Sequence, residues 1–269
     1  MACAYGLDIN NHPKGETIMN NKQSGFTLIE IAIVLVIIGL LLGGVLKGQE
    51  LINSAKVKNF ATDFRNIPLL IYGYQDKFKA LPGDDAQVTG AAAGRFGTSG
   101  SVCTPASASC APGNGVINGI WTSVYAAGAA ADETYTFWQH ARLAGLGAGP
   151  TSLADANYLP RNADGGLIGI ESGGGATGGA LIQNGAVDAT TGAVTALGTP
   201  TTFSPTYLIC SEGILGKYAK QLDTTLDDGQ TATGNMRVIT MANRATRNSL
   251  PVSTLLVDDA TSYVVCMGL

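Results

Sequence analysis

The sequence predicts an α+β protein, in which a long N-terminal helix, membrane-spanning in its first half, carries a head built on an antiparallel sheet. Three observations carry this expectation. Residues 26–46 form an apolar run with one charge, Glu30, and one hydroxyl, Thr27. Apolar residues then recur at Phe60, Phe64, Ile67, Ile71, Tyr74 and Phe78, the steps of one helical face. Beyond residue 80, short β-branched and aromatic stretches alternate with Gly, Pro and Asp. The composition is apolar (45%), poor in charge (13%) and rich in glycine (36 residues), with a net charge of −4 and a pI near 5.1. Such a chain is too apolar for wholesale disorder. It is also too acidic to grip nucleic acid by neutralising phosphates, so no nucleic-acid partner is expected.

At 1.5 Å per residue a helix over residues 26–46 spans about 30 Å, the thickness of a bilayer's hydrocarbon core. A core helix of this length would show a polar face. A secretory signal would be shorter and followed by a small-x-small cleavage site. Here the run passes straight into Lys47-Gly48-Gln49-Glu50. A carboxylate in hydrocarbon costs about 2.5–3.5 kcal/mol, which makes Glu30 a functional candidate. Gly39, Gly43 and Gly44 either permit close helix packing or mark a place for local unwinding.

The string Lys22-Gln23-Ser24-Gly25-Phe26-Thr27-Leu28-Ile29-Glu30, followed by an apolar helix, resembles the processing site of type IV prepilins and type II secretion pseudopilins. The resemblance covers about the first 50 residues. It implies cleavage after Gly25 by a prepilin peptidase on the cytoplasmic side, and N-methylation of the new terminus at Phe26. Glu30 then matches the acid at the fifth mature position. The implied partners are other pilin or pseudopilin subunits, the peptidase, membrane lipid, and an inner-membrane assembly platform with its ATPase. The implied location is the bacterial inner membrane, single-pass with a cytoplasmic leader and a periplasmic head, and then a pilus or pseudopilus. In a filament Glu30 would neutralise the Phe26 amine of a neighbouring subunit, because an unpaired buried charge is strongly unfavourable.

The expected organisation is a leader at 1–25, a membrane helix at 26–46, an amphipathic continuation at 47–80 and a head at 81–269. Residues 1–18 read as a mis-assigned start ahead of Met19 or as an unusually long leader. The expected function is that of a structural subunit, a minor pilin or pseudopilin of a type IV pilus or type II secretion filament. The alternative is a pilin-anchored adhesin, or a ligand-binding or enzymatic head, at a filament tip.

The stem helix is expected to run to about residue 79, some 80 Å in all, with a kink at Pro68. Its solvent side would carry Lys56, Lys58, Asp63, Arg65, Asp76 and Lys77, and Leu81-Pro82-Gly83-Asp84-Asp85 would end it. Residues 91–119 read as loops. Residues 132–143 read as a helix with Asp132 as N-cap and Gly145 just past its end. Residues 165–185 read as short strands joined by Gly turns. Residues 206–210, 236–240 and 262–267 read as strands, and 214–222 as a helix.

Cys103, Cys110, Cys210 and Cys266 remain once the leader with Cys3 is gone, and an even set suits disulfides in an oxidising compartment. Three connectivities exist. The short loop between Cys103 and Cys110 favours a local bridge, which leaves Cys210 for Cys266. Their spacing matches no zinc module. Residues 47–79 carry a net +3 and residues 80–269 a net −6. Lys22, ahead of the apolar run, favours a cytoplasmic N-terminus.

Catalytic signals in the head are weak. His140 has no nucleophile-elbow Gly-x-Ser-x-Gly to serve, and it reads as a packing residue. The glycines around Gly173 lack a following Gly-Lys-Ser/Thr. Trp121 and Trp138 read as core. No cofactor is certain. The acidic turns Asp84-Asp85 and Asp227-Asp228, with Asp223 nearby, read as turns and caps, with calcium ligation as the metal alternative.

Overall fold

The computed structural model describes residues 25–89, 94–103, 110–124, 131–174, 179–197 and 202–269. The expected leader, with Cys3, Met19 and Lys22, lies outside these residues apart from Gly25, as do parts of the predicted loop and Gly-turn segments. The chain divides into two compact units, residues 1–49 and 50–269.

In the first unit, helix α1 (Leu28–Phe78) begins, and it continues into the second. Its apolar turns up to residue 46 are exposed along their length, and the helix is long and apolar enough to cross a membrane. The assigned helix passes through Pro68 without interruption. It stops at Phe78 because Lys79 adopts a left-handed backbone (φ 55°) and Pro82-Gly83 follow.

In the second unit, α1 buries the predicted stripe: Phe60, Phe64, Ile67, Ile71 and Tyr74 are at most 4% exposed, and Phe78 is half-buried. The stripe packs on one face of a four-stranded antiparallel sheet. The strands are β1 (Ile168–Ser172), β4 (Tyr207–Leu215), β5 (Met236–Thr240) and β6 (Ser262–Gly268), in the order β1-β4-β6-β5. Period-two alternation divides their side chains between two cores. Ile170, Ile209, Val238 and Val265 join α1. Leu208, Cys210, Ile239, Val264 and Cys266 pack on the other side with Trp121, Leu181 and Ile182.

Helix α2 (Glu133–Leu143) follows Asp132 as expected, but Asp132 does not cap it through its side chain. Its carboxylate instead accepts the Ser123 hydroxyl. Two expectations change in the region of β4. The strand is longer than residues 206–210, and Ile214 and Leu215 belong to it rather than to a helix. A register shift after Ser211 lets Ile214 and Leu215 pair with Tyr263 and Ser262, and Ile214 is fully buried. Helix α3 (Gly216–Leu226) therefore starts two residues later and ends four later than the sequence indicates. A small hairpin, β2 (Gly185–Val187) with β3 (Val194–Ala196), lies largely beyond the predicted strands. Its turn is built by Asp188, which accepts the Thr190 and Thr191 N–H groups, and by Gly192 at φ 71°.

Candidate functional site

Two places concentrate functional chemistry: the start of α1, and the buried polar groups of the head. At the start of α1, Thr27 and Glu30 bond reciprocally. The Thr27 N–H and hydroxyl each donate to Glu30 Oε2 at 2.8 Å, and the Glu30 N–H donates to Thr27 Oγ1 at 3.3 Å. This is a capping box, which satisfies helix N–H groups that have no partner one turn back. Sequence reasoning took Glu30 for a lone intramembrane acid and missed the Thr-x-x-Glu signature that signals this role. Phe26 is 84% exposed, and a side chain built at Gly25 would meet no described atom within 4 Å.

Both disulfides form with the partners that the loop lengths favour, Cys103–Cys110 and Cys210–Cys266. The second joins directly opposed residues of β4 and β6, on the face away from α1. Cys103 and Cys110 also lie beside Glu133, but bridged sulfurs are not thiolate ligands.

The structure separates the two acidic turns. Every oxygen of Asp84 and Asp85 already has a protein donor. Asp84 Oδ1 accepts the Gly113 and Asn114 N–H groups at 2.6 and 3.1 Å, and its Oδ2 accepts that of Gly115 at 2.8 Å. Asp85 Oδ1 accepts the Gln87 N–H, while Oδ2 accepts the Tyr74 hydroxyl at 2.8 Å and forms an ion pair with Arg95 Nε at 2.7 Å, outside hydrogen-bond geometry. These two carboxylates hold loops to the end of α1 and do not join Asp223.

Asp223, Asp227 and Asp228 do come together, at the C-terminal end of α3, with one carboxylate oxygen of each within 4.8 Å of the others. Asp223 is fully buried, and neither of its carboxylate oxygens has a hydrogen-bond partner. Burial first, and then the Asp228 charge, push its carboxyl up to about 7, against a weaker pull from the Gly229 amide, which falls short of hydrogen-bond geometry. Asp227 Oδ2 accepts the Met236 N–H at 2.8 Å. Asp228 accepts the Gln230 N–H at 2.8 Å and the Thr233 hydroxyl at 2.7 Å.

His140 is fully buried. Its Nδ1 accepts the Gly83 N–H, and its Nε2 donates to the Ser101 carbonyl, both at 2.8 Å. This requires the neutral tautomer protonated on Nε2. Burial lowers the imidazole to about 4, against opposing pulls from Ser101 and Asp85. Both ring nitrogens are committed to backbone groups rather than to a serine and an aspartate. Glu133 is buried at the start of α2 and accepts the Ala111 and Asn118 N–H groups at 2.7 and 2.8 Å. No local sequence signal marked His140 and Glu133 as loop organisers, because their partners are backbone groups 15 to 57 residues away.

Residues 20–46 match the prokaryotic N-terminal methylation motif. The match covers about a tenth of the chain. No curated protein and no solved structure matches it. The methylation motif and the membrane-length helix running on from it support, at a general level, a structural subunit of the pilin or pseudopilin type.

Proposed function

We propose that this chain is a minor pilin or pseudopilin, made as a membrane-anchored precursor and assembled into a type IV pilus or type II secretion filament. The observation that supports the reading is the methylation motif over residues 20–46, a range that includes Gly25, Phe26 and the capping box that starts α1. A prepilin peptidase cleaves after Gly25 and methylates the Phe26 amine. The helix crosses the inner membrane with the leader in the cytoplasm and the disulfide-bonded head in the periplasm. An assembly platform and its ATPase then move the subunit into the filament.

After cleavage the Phe26 amine is a cation four residues from the Glu30 anion. Glu30 also serves its own helix cap, so pairing with a neighbour's Phe26 adds a second donor to a carboxylate that is already positioned. In hydrocarbon this pairing favours the one axial register in which neither charge is left alone.

Co-expression with a prepilin peptidase, followed by mass spectrometry of the N-terminus, tests the reading. The expected product begins at a methylated Phe26. An uncleaved chain, or cleavage elsewhere, overturns it. Gly25→Leu should block cleavage while leaving the fold unchanged, since no described atom stands near that position.

A further inference from the structure

The buried aromatic side chains of the head satisfy their polar ends, with one exception. The hydroxyls of Tyr74, Tyr135, Tyr158 and Tyr218 each donate to an oxygen, and the Trp121 indole donates to the Arg244 carbonyl at 2.8 Å. Trp138, on α2, is 5% exposed, yet its indole N–H has no partner. A buried indole ordinarily finds an acceptor. A second polar group nearby is also left over. Asp63, on α1, is half-buried, and among the described residues no hydrogen bond or ion pair reaches it. Burial, with no offsetting partner, raises its carboxyl.

Trp138 and Asp63 line one cavity of about 520 Å³ between α1 and α2, closed by Ile168 of β1. Ile67, Leu70 and Leu146 supply its apolar wall. The volume suits a small ligand and is too small for a folded surface. Arg142 also lines the cavity, but its guanidinium is spent on the carbonyls of Ala148, Pro150 and Tyr158. A side chain built at Gly147 would touch both Leu70 and Arg142, so Arg142 stands at the Leu70 end. Asp63 is seven residues back along α1, about 10 Å away along the axis. The Asp63 end is therefore negative without compensation.

We propose that this cavity binds a short peptide by its free amino terminus, with Asp63 pairing the ammonium and Trp138 donating to the first carbonyl. An anion, an N–H donor and an apolar wall are the complement of a cationic amine, a carbonyl and an apolar side chain, which a peptide's first residue carries together. The first side chain lies against Ile67, Leu70 and Leu146. Trp138 meets the carbonyl by a side-chain adjustment of the kind that commonly accompanies binding. An anionic ligand would be repelled by Asp63. The cavity lies within the second unit and uses no residue of the processing site, so the inference stands whether or not Phe26 is methylated.

The test uses the full chain in lipid nanodiscs, titrated calorimetrically with a tripeptide amide that begins with leucine and with its N-acetylated form. The expected result is one site of about 10⁻⁴ M for the free amine, and binding at least about tenfold weaker once the amine is acetylated. Asp63→Asn, a change at a partly exposed side chain, should bring the free peptide down to the level of the acetylated one and leave the acetylated one unchanged. Trp138→Phe keeps a ring in the wall and should weaken both peptides severalfold. The comparison of free and acetylated peptide needs no variant, so it decides the point even if a substitution harms the fold. No binding at millimolar concentration, equal binding of the two peptides, or undiminished binding in folded Asp63→Asn overturns the site. Self-association of the chain that Asp63→Asn abolishes assigns the cavity to a second copy and overturns the peptide.

Discussion

The Tyr74 hydroxyl, on the buried face of α1, donates a 2.8 Å hydrogen bond to Asp85 Oδ2, eleven residues further along the chain. The same oxygen takes the Arg95 guanidinium, and Asp85 is 3% exposed. A turn that reads in sequence as a helix stop is thus a latch, clamping the end of the stem to the loop that follows. Burial, and then Asp85, raise the Tyr74 phenol well above its usual range, so the latch keeps its proton throughout the physiological range.

The two halves of this latch should differ in cost. Tyr74→Phe removes one donor and leaves Asp85 with Arg95 and the Gln87 N–H, for a loss of about 1–2 kcal/mol. Asp85→Ala strands both the phenol and the largely buried guanidinium, for a loss of about 3–5 kcal/mol. Urea denaturation of the two variants, compared through their midpoints at unchanged m, checks the order.

His140 gives the head an acid limit. The unfolded imidazole titrates near 6.5 and the folded one at about 4. Between these values the unfolded chain holds the extra proton, so stability falls as pH drops from about 6.5 to 4. The fall should be on the order of 3 kcal/mol and level off below 4. Asp84, Glu133 and Glu171 are raised, burial being the leading cause, and act with the opposite sign. The contribution of His140 is therefore read as the difference between wild type and His140→Gln, whose amide offers one donor and one acceptor. Parallel stability–pH curves for the two proteins would remove this role.

The two disulfides should behave differently. The Cys103–Cys110 bridge spans 7 residues and the Cys210–Cys266 bridge 56. Chain-entropy reasoning gives about 2.5 kcal/mol for the first and about 4 kcal/mol for the second. Cys110 is partly exposed, whereas Cys210 and Cys266 are wholly buried. Native protein in mild reductant should therefore release Cys103 and Cys110 to alkylation first. Peptide mapping of the labelled thiols checks the order, and melts of paired Cys→Ser variants check the magnitudes.

Cap and pairing roles of Glu30 separate by mutation. Thr27→Ala removes the hydroxyl half of the capping box, costs about 1 kcal/mol of helix start, and leaves the Glu30 charge in place. Glu30→Ala removes both the cap and the charge. If Glu30 pairs with a neighbour's Phe26 amine, only the second change should deplete the subunit from sheared filaments. Equal incorporation of the two variants would remove the pairing role.

Legibility in the sequence followed the range of the interactions involved. The α1 stripe, β5, β6 and both disulfide pairings follow from local periodicity and spacing, and they stand in the structure as read. The extra turn of strand at Ile214 and Leu215 was not legible, because Tyr263 and Ser262 impose it from about fifty residues away. Asp84 and Asp85 show the same limit. Two adjacent acids beside Pro-Gly look alike whether they face water, an ion or a ring of backbone amides. Only the fold brings Gly113, Asn114 and Gly115 onto Asp84. The capping box was missed although it was legible, since Thr27 and Glu30 carry its full signature three residues apart.

Strand β6 lies between β4 and β5. Residues 262–268 alone occupy that place in the fold, so the β1-β4 pair and β5 stay unjoined until β6 is added. Cys210 waits as an open thiol for the same interval, since its partner arrives with β6. A nascent head is thus committed to late closure. Oxidation of the Cys210–Cys266 pair then acts as a chemical timestamp, marking the chains in which the central strand has been threaded home.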